Sequence, residues 1–321
     1  MKVVVLFNLG GPDSQEAVEP FLYNIFSDPD VIRLPFGMGW LQKPLARYIA
    51  KRRGAESRGN YQKIGGSSPL LPNTLLQANR LEALLGTEFR VFIAMRYWSP
   101  NADEVVAKMQ ELQLDEEIEE VIYLPLYPQK SISTTDSSFN DFDRALAAAG
   151  LQLPVRRIPF WYEHPHYAEL VADTVRGELR QCDLSNSHLL FSAHGIPVSY
   201  VTRDGDVYEQ HIHATVEAVT KLLPAELSHS LCYQSRVGPV KWLEPDIEDA
   251  LPRLAEGDKK TILVYPISFV SEHVETLFEL DILYGEMARG LGLDYRRLPT
   301  LGDRPAFIRL LADLVHQSEV A

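Results

Sequence analysis

TILVYPISFVSEHVETLFELD, residues 261–281, joins an apolar run to an acidic one. The first half is β-branched and aromatic without polar alternation, the pattern of a strand buried on both faces. In the second half Ser271 suits a helix N-cap. At 3.6 residues per turn, Glu272, Glu275 and Glu279 then fall within about 60° of one another and form one acidic stripe. Asp281 lies on another face and His273 is off the stripe. A buried strand running into a helix is the repeating element of an α/β fold.

The same alternation extends in both directions. VVVLFN (3–8), FRVFIAM (89–95), EVIYLPLY (120–127), SHLLFSAH (187–194) and SLCYQS (230–235) read as further buried parallel strands. Helical patterns lie between them, as in NTLLQANRLEALLG, where Leu75, Leu76, Leu81 and Leu84 are expected to mark one face and Gly86 to stop the helix. The strands fall into an early and a late group. We expect two similar α/β units with parallel sheets, residues 1–152 and 153–321, with an active cleft between them and the last helix packing back on the first unit. Ligands of open α/β sheets bind beyond the carboxyl ends of strands. That rule selects NLGGP, RYWSP, YPQKSISTT, AHGIP, QSRVGP and SFVSEHVE.

Composition narrows the function. The chain has 321 residues, is 45% hydrophobic and 23% charged, and carries a formal net charge of −13. A surface of that sign repels phosphates, so no nucleic-acid partner is expected. Two cysteines, Cys182 and Cys232, cannot make a zinc ribbon or a four-cysteine cluster, and they suit a reducing compartment. MKVVVLFNLGGP does not read as a signal peptide, and no apolar run reaches membrane-spanning length. The expected location is cytoplasmic. NLGGPD lacks the spacing of a dinucleotide fingerprint and no phosphate-binding GxxxxGK[ST] loop occurs; GGSSP (65–69) reads as a turn.

One segment departs from the acidic whole. Between Gly39 and Arg58, within FGMGWLQKPLARYIAKRRGAESR (36–58), stand six basic residues and one acid. Leu41, Leu45, Tyr48 and Ile49 share one helical face, and Lys43, Arg47 and Lys51 another. The segment reads either as an amphipathic helix packed on the core or as a lip, about 34–58, that touches anionic lipid at the inner face of a membrane.

The acidic stretch also leaves two readings open: a solvated face at the positive end of a helix, or carboxylates gathered for a cation or for protons. No lysine or arginine stands at i+4 to neutralise the stripe. His273 is followed by valine, so no HExxH motif exists. His194 ends its strand among the small residues Ser192, Ala193 and Gly195; it reads either as a satisfied structural residue or, in so roomy a position, as a base or ligand. Tyr61, Arg96, Tyr97, Trp98, Tyr127, Tyr233, Trp242 and Phe269 lie at or near strand ends; the aromatics read either as core or, with the arginine, as a mixture that suits a flat, apolar, anionic ligand.

Together these blocks resemble the ferrochelatases, which insert ferrous iron into a porphyrin. The resemblance runs from NLGGPDS through YQKIGGSSP, FRVFIAMRYWSP, LPLYPQKSISTT, FSAHGIPVSYV and CYQSRVGPVKWL to ISFVSEHVETLFELD. It implies two Rossmann-like halves with the porphyrin in the cleft. By position it implies His194 and Glu275 at the metal, with His273 and Glu279 also lining the site and Glu272 where the family often has an acid. Leu9, Arg53, Tyr61, Ser68, Tyr127 and Trp242 match positions around the porphyrin. Relatives with a [2Fe–2S] cluster use a C-terminal extension and an internal cysteine. Ile132 stands at the internal position here, so no cluster is expected and Fe²⁺ is substrate rather than cofactor. Leu9, where coproporphyrin-using members carry tyrosine, favours protoporphyrin IX. The alternatives are a coproporphyrin III ferrochelatase and a non-enzymatic porphyrin or haem carrier.

Overall fold

A computed structural model describes residues 1–34 and 37–317. Pro35 and Phe36, at the start of the expected lip, and the residues after Gln317 lie outside the described residues. The chain divides into two units: residues 1–127 with 131–159 and the residues from Leu311, and residues 128–130 with 160–310.

The first unit contains β1 (Lys2–Asn8), β2 (Phe89–Met95), β3 (Glu120–Pro125) and β4 (Val155–Arg157) in the order β2-β1-β3-β4, all parallel. The second contains β5 (Ser187–His194), β6 (Ser228–Gln234), β7 (Thr261–Pro266) and β8 (Asp294–Arg297) in the order β6-β5-β7-β8, again all parallel. This is the expected α/β architecture of two similar Rossmann-like units. The apolar runs form β1, β3, β5 and β7 inside the sheets, where nearly every side chain is buried, and β2 and β6 at their edges, where burial is complete only toward the carboxyl ends. On one face of the first sheet Val3, Val5, Phe7, Val121 and Tyr123 pack against Phe139 and Phe142. Phe7 meets Tyr123 and Phe142 edge-on at 5.1 and 5.4 Å. In the second sheet Leu190, Ile262 and Val264 pack against Ile247, Leu251, Leu280 and Tyr284.

Two helices bury faces other than those the leucines suggest. In Leu70–Leu85 the buried positions are Leu70, Thr74, Gln77, Ala78 and Leu81, whereas Leu75, Leu76 and Leu84 are exposed. The face turns because Asn8, at the end of β1, donates to Thr74 Oγ1 at 3.0 Å, which draws a polar row inward. In Gln42–Lys63 the buried row is Gln42, Ala46, Ala50, Gly54 and Tyr61. Small residues four apart allow the close approach of helix Val18–Ser27, and Gln42 Nε2 donates to the Phe26 carbonyl at 3.0 Å. Tyr48, expected on the apolar face, is 62% exposed instead. The helix Pro305–Gln317 spans the division at Leu311; beyond it, Arg156 Nη1 donates to Val315 O at 3.1 Å and His316 lies edge-on to Phe89 at 5.8 Å.

Candidate active site

The carboxyl ends of β5, β6 and β7 converge in the second unit. His194, the last residue of β5, is in register with Gln234 of β6. Its backbone is held on both sides: the amide donates to Ser268 Oγ at 3.0 Å, and Tyr208 OH donates to its carbonyl at 3.0 Å. Gly195 must be glycine here, because a Cβ would sit 2.9 Å from the Gln234 carbonyl, to which its own amide donates at 2.8 Å. That close crossing brings the β5 and β6 ends together under the histidine ring.

The acidic stretch does not form the helix its spacing suggests. It is a π-helix over Glu275–Tyr284, with Val274 as its first flanking residue. Wider i→i+5 turns of this kind recur at functional sites. Glu275 and Glu279, four residues apart, project the same way, while Thr276, Phe278, Leu280 and Tyr284 are buried. Glu275 Oε2 lies 2.7 Å from His194 Nδ1, so the ring donates from Nδ1 and keeps Nε2 as its second nitrogen. Glu279 Oε2 accepts from Ser235 Oγ at 2.5 Å and from Gln234 Nε2 at 3.0 Å. The same Ser235 hydroxyl reaches Glu275 Oε2 at 3.2 Å, and Gln234 Nε2 also holds the Glu275 carbonyl at 3.0 Å. Ser192 Oγ donates to Gln234 Oε1 at 2.7 Å and fixes which way that amide faces.

Ser235 adopts φ +67°, the one non-glycine residue with positive φ among the described residues. Such a conformation costs about 1 kcal/mol or more and persists where the surroundings over-determine it. Here it aims the hydroxyl at both carboxylates. The strand-end rule reaches the loop QSRVGP but gives Gln234 and Ser235 no role, because neither carries charge and backbone strain leaves no compositional trace.

The charges are divided unevenly. Burial would raise the Glu275 carboxyl, but the His194 ring beside it outweighs burial and holds the group down at about 2. Glu279 is pushed up to about 7, first by burial and then by the neighbouring Glu275 anion. Burial would lower the His194 imidazole, and Glu275 outweighs it and raises it. The ring remains 38% exposed, so it is accessible as a base. The cluster thus contains a fixed anion, a base made stronger by that anion, and a carboxyl that exchanges its proton near neutrality.

His273 sits at the head of the π-helix, buried, with Nδ1 3.1 Å from the Ser271 carbonyl and Nε2 3.9 Å from Glu275 Oε1. Burial lowers its basicity. Phe269 packs edge-on against it at 4.4 Å, on the side toward His194. Glu272 is not part of the carboxylate row. The π-helix starts after it, and its Oε1 accepts from Arg297 Nη1 at 2.7 Å and from Thr300 N and Oγ1 at 3.0 Å each. The cation that the stripe lacked at i+4 comes from β8.

The remaining expected site residues distribute over both units. Trp242 is in the second, bridged to Pro197, with its ring 3.5 Å from where a Gly195 Cβ would stand. In the first unit, Leu9 follows β1 and its carbonyl accepts from Tyr97 N at 3.0 Å. Ser68 N donates to Pro12 O at 2.8 Å, and a Cβ on Gly11 would lie 2.5 Å from Ser68 Cβ. The loop from Gly65 is tied back by Gly66 N to Tyr61 O at 2.8 Å. NLGGP, YQKIGGSSP and RYWSP are therefore stitched into one surface. Arg53 stands on the helix Gln42–Lys63 with its guanidinium 6.0 Å from the Phe26 ring. Tyr127 follows β3 with its hydroxyl buried and burial raising its pKa. Arg96, offered as a counter-ion for ligand carboxylates, is committed inside the protein: it pairs with Asp28 at 2.8 Å and Asp141 at 3.6 Å.

A profile described as ferrochelatase matches residues 2–319. The ferrochelatase of Thermosynechococcus vestitus is 47% identical over 329 residues, covering 99% of this chain and 82% of the relative. That of Nostoc punctiforme is 46% identical, covering 97% and 81%. Among solved structures, CbiX, the terminal enzyme of sirohaem biosynthesis in denitrifying bacteria, aligns over 100% of both chains with TM-score 0.54 at 16% identity. SirB from Bacillus subtilis aligns over 99% of this chain and 98% of its own with TM-score 0.52 at 11% identity, a likeness of fold.

Proposed function

The chain belongs to the ferrochelatase family, and we propose that it inserts Fe²⁺ into protoporphyrin IX with release of two pyrrole protons, completing protohaem. The balance of the reaction asks for two bases and one anionic metal contact. His194 Nε2 accepts one pyrrole proton, and the imidazolium so formed is stabilised by the Glu275 carboxylate on Nδ1. Glu279, poised near neutrality, takes the second. Glu275 stays ionised and offers an oxygen donor to the incoming ferrous ion, and His194 Nε2 offers a nitrogen donor only before it takes up the pyrrole proton. His273, kept neutral by burial, backs Glu275 and lines the site. The observation that carries this reading is the 2.7 Å His194–Glu275 pair, joined to Glu279 through one serine hydroxyl.

Leu9, Arg53, Tyr61, Ser68, Tyr127 and Trp242 are proposed to contact the porphyrin. An apolar Leu9 supports protoporphyrin IX over coproporphyrin III, whose additional carboxylates need polar partners. No resident cofactor enters the reading, and two cysteines do not supply the thiolates of a four-cysteine iron–sulfur cluster. Cys232 is buried, which raises its thiol pKa. No helix among the described residues is long and apolar enough to cross a membrane. Peripheral contact with anionic lipid, on the cytoplasmic face, is supported by Met38, Trp40 and Tyr48, 40%, 74% and 62% exposed beside Lys43, Arg47 and Lys51.

Glu275→Gln separates an enzyme from a carrier. It removes the anion and leaves the shape, so insertion is expected to fall at least about 100-fold while porphyrin binding, read by fluorescence quenching, is retained. Porphyrin binding by the wild type with no metallation above the protein-free rate establishes a carrier instead.

A further inference from the structure

Arg297 is the most heavily engaged cation near the site, yet it touches none of the residues assigned to the chemistry. Its Nε and Nη2 hold both oxygens of Asp281 at 2.7 and 2.6 Å, and its Nη1 holds Glu272 Oε1 at 2.7 Å. The side chain is 11% exposed. Those two acids bracket the segment that carries His273, Glu275 and Glu279: Glu272 precedes the π-helix and Asp281 lies within it, beyond Glu279. One guanidinium on the edge strand β8 therefore straps both ends of the catalytic segment to the sheet. Thr300 reinforces the near end through two further hydrogen bonds to Glu272.

The strap matters because of the helix it holds. A run of i→i+5 turns is less favourable than the α-helix the same residues could form, and such runs are rarely long. This one covers Glu275–Tyr284. An α-helix begun at Ser271 would gather Glu272, Glu275 and Glu279 on one stripe. It would also swing Glu279 relative to Glu275 by roughly tens of degrees, away from their shared hydroxyl on Ser235. With Glu272 held out on Arg297, the helical turns begin only beyond it, at Val274, and with Asp281 held to the same guanidinium the wider turn is pinned.

We propose that Arg297 is a positioning residue for metal insertion: by clamping Glu272 and Asp281 it enforces the π-helical register in which two carboxylates, not three, converge on His194. This rests on the ferrochelatase reading above. The planar fork is essential, since a lysine ammonium is a point charge that cannot grip Asp281 bidentately and reach Glu272 as well.

The test is steady-state insertion with Fe²⁺ and porphyrin varied separately, for wild type, Arg297→Met, Arg297→Lys and Asp281→Asn, normalised to folded protein well below each melting temperature. Arg297→Met is expected to lower kcat at least about tenfold, with KM for porphyrin unchanged within about twofold. Arg297→Lys should restore less than half of the loss. A purely structural role lowers the melting temperature and leaves kcat of the folded protein unchanged, and that result overturns the proposal. Should Arg297→Met not fold, the near-isosteric Asp281→Asn decides: kcat reduced about threefold or more supports the clamp, and wild-type kcat removes it. Wild-type enzyme that metallates no porphyrin defeats the functional reading and is seen separately from either outcome.

Discussion

The two units share a plan and differ in what they do with it. Each has a central strand flanked in the same order, β2-β1-β3-β4 and β6-β5-β7-β8. Each has a third strand that ends in proline, Pro125 and Pro266, and a π-helical run after it, Ile132–Asp136 and Glu275–Tyr284. The last residue of the central strand is Asn8 in one and His194 in the other, in register with Met95 and Gln234 respectively. In the first unit the charges beyond the strand ends are closed on themselves. Asp28 accepts from Arg96, Tyr97 and Ser137 at 2.8, 2.7 and 2.6 Å and is nearly inaccessible. In the second unit the corresponding ends carry two carboxylates and a histidine that is partly open to solvent. The same backbone geometry thus supports a saturated network that stabilises and a charged cluster left available for chemistry.

Exchanging the equivalent strand ends breaks this comparison most sharply. His194→Ala removes a base and the partner of Glu275, and insertion should fall at least about 100-fold with the protein folded. Asn8→Ala, at the matching position, removes a buried bond to Thr74 and should cost about 1–3 kcal/mol in urea denaturation with insertion largely kept. Equal losses of activity at both positions would show that the division of labour is wrong.

A smaller effect distinguishes the opposite ends of the two central strands. Near the start of β5 the His188 ring sits between Ser228 Oγ at 2.9 Å and Ser230 Oγ at 2.8 Å, and burial pushes its pKa down to about 4 from 6.5. The unfolded chain therefore takes up the proton first. The stability that His188 contributes is complete above about pH 6.5 and is lost as pH falls toward about 4. Denaturation of wild type against His188→Gln across that range should show the gap narrowing as pH falls; a constant gap contradicts the assignment.

The least effect is expected at the surface, where the first unit alone carries the basic, aromatic lip. Replacing Lys43, Arg47 and Lys51 with alanine should weaken co-sedimentation with phosphatidylserine vesicles, each cation being worth about 1 kcal/mol at an anionic surface. Equal, negligible binding of both proteins removes the membrane contact.

What could be read from the sequence follows what each feature depends on. The long inner strands are legible because burial on both faces forces continuous apolar runs, and β2 and β6, although at sheet edges, because their seven residues are mostly apolar or buried. β4 and β8 are not, because edge strands of three and four residues carry Arg156, Arg157, Arg296 and Arg297 and look like surface. The pairing of His194 with Glu275 and Glu279 was accessible through the family resemblance. Its supporting shell was not. Nothing in SEHVETLFELD announces a π-helix, and Glu272 finds its cation at Arg297, far beyond the reach of helix spacing. The buried face of Leu70–Leu85 was misread for the same reason: Thr74 goes inward for a hydrogen bond from another segment.

The central claim is that the second unit's histidine–carboxylate cluster drives iron into a porphyrin. Anaerobic incubation of the purified protein with Fe²⁺ and either protoporphyrin IX or coproporphyrin III, followed by the haem absorbance bands, tests it directly. The account predicts rapid metallation of protoporphyrin IX, slower metallation of coproporphyrin III, and loss of both in Glu275→Gln. Metallation of neither porphyrin above the protein-free rate, or full activity in Glu275→Gln, contradicts it.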